Sequence, residues 1–403
     1  MRKVYISMPI KRTIAFLLGS GISVPAGFPS IRQIMEQLLS GEGLIMRNQH
    51  FYFGTQGYPF QNIAFRHIQR IIFLLKKVIE IIERQHGRSE NEPVNYEEIA
   101  YVISQCYSHI LGEYDNPVVE EFLKTIVDSL KLQFFVDYHD PADIEKRRQE
   151  FTEEVINRSE LQSFFEEAEN YIKDVVAAML NRIIYAPTEH LAFIVEAIND
   201  EDNTEINLIT LNNDLLLEQA LFKQSIAYAD GFSVVNGKKY FDPKTYRNDV
   251  HVNVIKPHGS TNWYYNRDTY QVAHSSPLEA MPYERPYMLI GTNNKLLEYS
   301  RAPYTALFAE FYLRLQRSDA LIICGYGFGD KGVNSQIIDW MYDDKAHRIV
   351  VIHRDGESIT GSSMSGAIRR NFQIWVKEGR VAFVEKFLSL EKPLTWDEIK
   401  PVL

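Results

Sequence analysis

Thr13-Ile14-Ala15-Phe16-Leu17-Leu18-Gly19-Ser20-Gly21-Ile22-Ser23 is the stretch whose reading decides the fold. A short apolar run closed by glycine reads as a strand buried on both faces. Ser30 then supplies an N-cap for a helix over residues 31–39, with Ile31, Ile34, Met35 and Leu38 on one face. Strand, glycine turn and helix together form the opening unit of a parallel sheet.

The same rhythm returns after about residue 186. Residues 206–211, 250–255, 320–324, 348–352 and 381–384 read as strands, and residues 214–222, 303–316, 332–342 and 364–372 as helices. This predicts an α/β protein with a Rossmann-like, mostly parallel sheet and helices on both faces. Residues 40–185 differ: the segments 63–84, 96–111, 118–135 and 144–184 have helical spacing and heavy Glu, Lys and Arg use, with a loop over Gly87–Pro93. The expected organisation is a discontinuous core of residues 1–39 and 186–403, interrupted by a large all-helical insertion at 40–185. Thr395 and Glu398 form a capping box that opens a short C-terminal helix.

With 403 residues, 45% of them hydrophobic, the chain can bury a large core. The net charge of −10 and the lack of a long basic run exclude broad binding to nucleic-acid phosphates. Lys146, Arg147 and Arg148 read as solvated helix surface, with a local basic patch as the alternative. Cys106 and Cys324 are the only cysteines, so neither a disulfide framework nor a four-cysteine zinc site is expected. No apolar run reaches the ~18–20 residues of a membrane span, and Ile14–Leu18 is too short for a signal-peptide core. A soluble cytoplasmic protein is expected.

Four motifs stand at predicted strand ends, where ligands of parallel sheets bind. Gly19-Ser20-Gly21 lets backbone N–H groups approach a pyrophosphate. Val24 stands where the dehydrogenase fingerprint has its third glycine, and no acidic residue ends a strand about 20 positions later, so a dehydrogenase is excluded. Thr210-Leu211-Asn212-Asn213-Asp214 presents an amide and a carboxylate that can orient water, or simply an Asx turn capping a helix. His258, in Lys256-Pro257-His258-Gly259-Ser260, has a side chain that titrates near neutrality and can engage a hydroxyl proton. Gly325-Tyr326-Gly327-Phe328-Gly329-Asp330 permits close backbone approach, and Asp330 serves equally as a cap for the next helix.

The string Gly19–Ser23 with Ala26-Gly27-Phe28-Pro29-Ser30 resembles the sirtuin (SIR2-like) NAD-binding domain, and the other three motifs are similar to its Thr-Gln-Asn-x-Asp, His-Gly and Gly-Thr-Ser segments in order. The resemblance implies NAD as the ligand. Gly19, Ser20, Gly21 and Ser23 would meet its phosphates, and Phe28 would cover the nicotinamide. Arg32 would lie near the diphosphate or ribose, unless it is helix surface. Thr210, Asn212 and Asp214 would sit at the ribose, although Leu211 replaces the family glutamine. Gly325, Tyr326, Gly327 and Asp330 would hold the adenosine side, and His353 stands where sirtuins often carry an asparagine for the adenosine ribose.

Protein-deacylating sirtuins carry two Cys-x-x-Cys pairs between the His-Gly and Gly-Thr-Ser motifs, whereas residues 259–324 here contain only Cys324. No metal is therefore expected. The resemblance then implies an NAD glycohydrolase of bacterial anti-phage defence, with His258, Asn212 and Asp214 catalytic. In layout it resembles the SIR2 partner of a HerA-type ATPase, so a homo-oligomer with that partner is expected. The alternatives are a non-catalytic NAD or ADP-ribose sensor, a scaffold in a defence complex, and a deacylase.

Overall fold

The computed structural model describes residues 11–54, 61–86, 94–113, 115–138, 158–181, 185–247, 249–275, 285–291, 299–356, 359, 364 and 366–403. The basic triplet 146–148, the loop expected at 87–93 and the first part of the helix expected at 144–184 lie outside them. The chain divides into two compact units, Met1–Phe28 with Leu180–Leu289 and Lys295–Leu403, and Pro29–Met179 with Ile290–Asn294.

The first unit is built on a six-stranded parallel sheet. Its strands are β1 (Arg12–Leu18), β4 (Asn203–Thr210), β7 (Val252–Ile255), β11 (Ala320–Cys324), β12 (Arg348–Ile352) and β13 (Val381–Val384), in the order β13-β12-β11-β1-β4-β7. Alternation along each strand divides its apolar residues between two cores. Ile14, Phe16 and Leu18 of β1 join one core with Ile206, Leu208, Ile322 and Val350. The helices α6 (Ala192–Asn199) and α7 (Leu216–Lys223) close that core through Phe193, Ile194, Leu217 and Leu221. Ala15 and Leu17 face the other core with Ile209, Leu321, Ile323 and Val351. Phe311 of α8 (Tyr304–Gln316), Ile337 and Trp340 of α9 (Lys331–Asp343), and Phe372 of α10 (Gly366–Lys377) cover it. The sheet is thus covered on both faces, as its uninterrupted apolar strands require.

A second sheet in this unit has no counterpart in the sequence reading. Strands β5 (Phe232–Val235), β6 (Lys238–Phe241), β8 (Gly259–Asn266), β9 (Gln271–His274) and β10 (Pro286–Met288) pair antiparallel in the order β10-β8-β9-β6-β5. They are short, and aromatic contacts such as Phe232 with Trp263 hold them more than a regular apolar alternation does. Burial pushes the His274 ring down to about 4, so it is neutral and its Nε2 accepts from the Asn262 amide at 3.0 Å.

Among its described residues the second unit is helical apart from one hairpin, β2 (Leu44–Arg47) with β3 (His50–Phe53), which the expected all-helical insertion did not include. Its helices are α1 (Ile31–Ser40), α2 (Gln61–His86), α3 (Tyr96–Leu111), α4 (Pro117–Tyr138) and α5 (Arg158–Asn181). Helix α1 was expected in the α/β core but is grouped here. Its Ile34 and Leu38 are buried, it contacts α2 and α3, and the Leu38 carbonyl accepts from the Tyr171 hydroxyl at 2.9 Å. Among the described residues no helix is long and apolar enough to cross a membrane.

Candidate functional site

From β1 the chain builds outward through β4 to β7, then returns to the other side of β1 to lay down β11, β12 and β13. Neighbouring loops therefore diverge beyond the carboxyl ends of β1 and β11, which is where such sheets bind ligands. Two glycine loops meet there. The Gly19 N–H donates to the Cys324 carbonyl and the Gly21 N–H to the Gly325 carbonyl, each at 3.0 Å. A Cβ on Gly19 would lie 2.5 Å from the Gly325 oxygen, and one on Gly21 would lie 2.7 Å from the Gly325 Cα. Gly325 has φ +67°, and a Cβ there would lie 2.6 Å from the Ile22 nitrogen. These three glycines let the two loops pack backbone against backbone. Gly327 and Gly329 are different: both are exposed, and an added Cβ would meet nothing within 4 Å.

Beside this crossing lies a buried polar network. The Asn212 Nδ2 donates to the Gly19 carbonyl and to the Ser23 Oγ, both at 3.0 Å. Because a carbonyl can only accept, Gly19 fixes which end of the amide is nitrogen. Both donors are then committed, and Oδ1 is the remaining acceptor. The Ser23 hydroxyl donates in turn to Asp214 Oδ2 at 2.7 Å, while Asp214 Oδ1 accepts from the Leu216 N–H at 3.0 Å. Burial holds the Asp214 carboxyl above its ordinary range, against the opposing pull of Lys256. The buried Lys256 ammonium donates to the Asp214 carbonyl and to Glu218 Oε1 at 2.8 Å.

The His258 ring is anchored to the same loop, its Nδ1 lying 3.2 Å from the Leu211 carbonyl. On its other side Nε2 lies 2.8 Å from the Tyr299 hydroxyl and 3.1 Å from Asp330 Oδ2. The Tyr299 hydroxyl donates to that same Oδ2 at 3.0 Å. Asp330 Oδ1 caps α9 by accepting from the Val333 N–H at 3.0 Å. The Thr261 N–H donates to the Asn213 carbonyl at 2.9 Å, which ties the start of β8 to the loop after β4.

The structure therefore brings Gly19, Gly21, Ser23, Thr210, Asn212, Asp214, Gly325, His258 and Asp330 together at one rim. Thr210 supports the loop by accepting the Asn212 N–H on its Oγ1 at 3.2 Å. Ser20 is exposed on the first loop. Phe28, expected over a ligand, is instead 4% exposed and packs with Ile22 and Ala26 in the core. Tyr326 faces inward as well, donating to Asn334 Oδ1 at 2.9 Å. Arg32 belongs to the other unit and pairs with Glu36 at 3.0 Å on an exposed helix surface. His353 stands at the end of β12, and its Nδ1 lies 2.6 Å from the Asp355 carbonyl.

Sequence reasoning missed Tyr299 and the pairing of Lys256 with Glu218. Tyr299 lies in a segment without periodicity. The role of Lys256 depends on where α7 packs, which no local signal gives. Burial pushes the Cys324 thiol at the end of β11 up to about 12, so it is an inert core group. Among the described residues, no group of three or more His, Cys, Asp or Glu could hold a metal ion.

Residues 206–372 match the model of the SIR2-like domain family. That segment begins in β4 and ends in α10, and so excludes the first glycine loop. Solved structures similar to the chain include a SIR2 homologue in complex with NAD, at 12% identity, covering 97% of this chain and 89% of that one with a TM-score of 0.40. A mutant Sir2 homologue in complex with ADP-ribose is similar at 13% identity, over 94% and 96% of the two chains with a TM-score of 0.35. Sir2 bound to acetylated peptide is similar at 11% identity, over 91% and 93% with a TM-score of 0.33. No curated protein sequence matches the chain.

Proposed function

We propose that the SIR2-like segment, with the glycine loop after β1, binds NAD and hydrolyses its nicotinamide–ribose bond. The observation that carries this reading is the Asn212 carboxamide, turned by the Gly19 carbonyl so that Oδ1 is left to accept from a water. The bond from C1′ to the nicotinamide nitrogen breaks with both electrons leaving on nicotinamide. The sugar passes through an oxocarbenium-like state, water adds at C1′, and one proton is released. Asn212 orients that water. His258 engages a ribose hydroxyl, a role typically worth ~10²–10⁴ in rate. The buried Asp214 carboxyl holds Ser23, and through it the amide. Gly327 and Gly329 offer open backbone to the adenosine side.

The finer reading is NAD depletion in anti-phage defence by a homo-oligomer partnered with a HerA-type ATPase. It is supported by the motif resemblance and by the missing cysteine pairs between 259 and 324. Nicotinamide release by wild type, Asn212→Ala and His258→Ala, with and without that ATPase, tests the proposal. Each substitution is expected to lower release at least ~100-fold while leaving the melting temperature within a few degrees. An NAD-induced thermal shift with no nicotinamide under any condition would instead identify a sensor. Release of O-acetyl-ADP-ribose from an acetylated peptide would identify a deacylase.

A further inference from the structure

Lys256 is buried two residues before His258, and it is engaged at both ends. Its backbone carbonyl accepts from the Gly259 N–H at 3.0 Å, which closes a turn around Pro257 and His258. Its ammonium reaches the loop after β4, where it donates to the Asp214 carbonyl, and also donates to Glu218 Oε1 of α7 at 2.8 Å. The Lys256 and Glu218 side chains are 3% and 14% exposed. An ion pair so far withdrawn from water adds little net stability, because desolvation cancels much of the attraction. Its effect lies in what it holds in place.

The loop it holds carries Asn212, and its backbone is tied at four successive residues. The Leu211 N–H donates to the Leu18 carbonyl at 2.9 Å and the Asn212 N–H to Thr210 Oγ1 at 3.2 Å. The Asn213 carbonyl accepts from the Thr261 N–H at 2.9 Å, and the Asp214 carbonyl accepts from Lys256. We infer that Lys256, anchored by Glu218, is a positioning residue that sets the spacing between the Asn212 amide and the His258 ring, since this one residue fixes both turns. The ammonium also acts through its charge. It pulls the Asp214 carboxyl down against burial, while Glu218 pushes it up, and that carboxyl accepts from the Ser23 hydroxyl and the Leu216 N–H.

The inference depends on the proposed hydrolysis only where turnover is read. Lys256→Met alone would strand the Glu218 carboxyl, whose Oε2 is buried without a hydrogen-bond partner among the described residues. The informative comparison is Lys256→Met/Glu218→Gln against Glu218→Gln, in which the glutamine oxygen still accepts from the lysine. Removing both charges together should leave the melting temperature within a few degrees. The Asn212 side-chain N–H protons, bonded to Gly19 and Ser23, should exchange with solvent at least about tenfold faster in the double variant, with the β1 amides unchanged. The Asp214 carboxyl carbon should titrate at least about one pH unit higher in the double variant than in Glu218→Gln. In turnover, the double variant should lose at least about tenfold in kcat with the KM for NAD little changed, and Glu218→Gln should fall between it and wild type. If the double variant does not fold, Lys256→Met against wild type supplies the same readouts. Asn212 protons that exchange alike with and without the lysine, β1 amides that speed up equally, or an Asp214 carboxyl that titrates no higher overturn the inference. Faster Asn212 exchange in a protein that releases no nicotinamide leaves the inference standing and removes the hydrolase reading.

Discussion

Asp214 is a carboxyl almost fully withdrawn from water, and burial outweighs the Lys256 charge that would keep it ionised. Its folded pKa lies above the unfolded value, so the folded state binds its proton more tightly. The stability this group contributes is fully present below about pH 4 and is lost as pH rises through the folded value. Asp214→Asn removes that loss. Thermal melts of both proteins from pH 4 to 7 should converge at the acid end and separate toward neutrality, with Asp214→Asn gaining relative to wild type. Parallel curves would show that burial does not raise the Asp214 carboxyl above its ordinary range. Nicotinamide release should fall in the same variant, because an amide has one oxygen where the carboxyl presents two, one to Ser23 and one to the Leu216 N–H.

At the scale of elements, the two glycine loops separate packing from ligand access. Gly325→Ala places a Cβ in the left-handed region and 2.6 Å from the Ile22 nitrogen, so the crossing must open. A loss of about 3 kcal/mol or more is expected in denaturant unfolding. Gly327→Ala meets no atom within 4 Å and should cost less than about 1 kcal/mol. If the open backbone at 327 receives the adenosine side of NAD, that variant should nevertheless bind NAD about tenfold or more weakly by calorimetry. Equal affinity in wild type and Gly327→Ala would move the ligand away from this loop. The sequence shows five glycines in these two motifs alike. Only the close approach of β1 to β11 distinguishes those filled by a neighbouring loop from those left open.

Over the whole α/β unit, segments far apart in sequence are fastened by single residues. The Trp396 N–H donates to Glu196 Oε2 and its ring Nε1 to Asp200 Oδ2, each at 2.6 Å, and its ring packs against Phe16 of β1. Trp396→Ala removes a buried aromatic and the ring donor to Asp200, while the backbone donor to Glu196 is kept. A loss of roughly 3–5 kcal/mol in global unfolding is expected, with the melting temperature falling accordingly. The capping box at Thr395 and Glu398 was legible in sequence as a helix start, but its use as the platform for this tryptophan was not.

Sequence alone determined the parallel sheet, because strands buried on both faces must be continuously apolar and must be joined by helices. It also placed Asn212 and His258 just after two strands of that sheet, because an apolar run buried on both faces ends where polar residues begin. It gave no sign of the antiparallel sheet over 232–288, whose short strands are held by cross-strand aromatic pairs rather than by a periodic pattern. It assigned Phe28 and Tyr326 to a ligand, and the structure has both packed in a core; an aromatic beside a glycine turn reads the same in either setting. The bond between His258, Tyr299 and Asp330 spans 72 positions, and the unit that owns α1 was decided by its contacts with helices further along the chain. Local periodicity records which face of an element is apolar; which neighbour that face meets, and which protons lie between buried partners, is set only when distant segments are packed together.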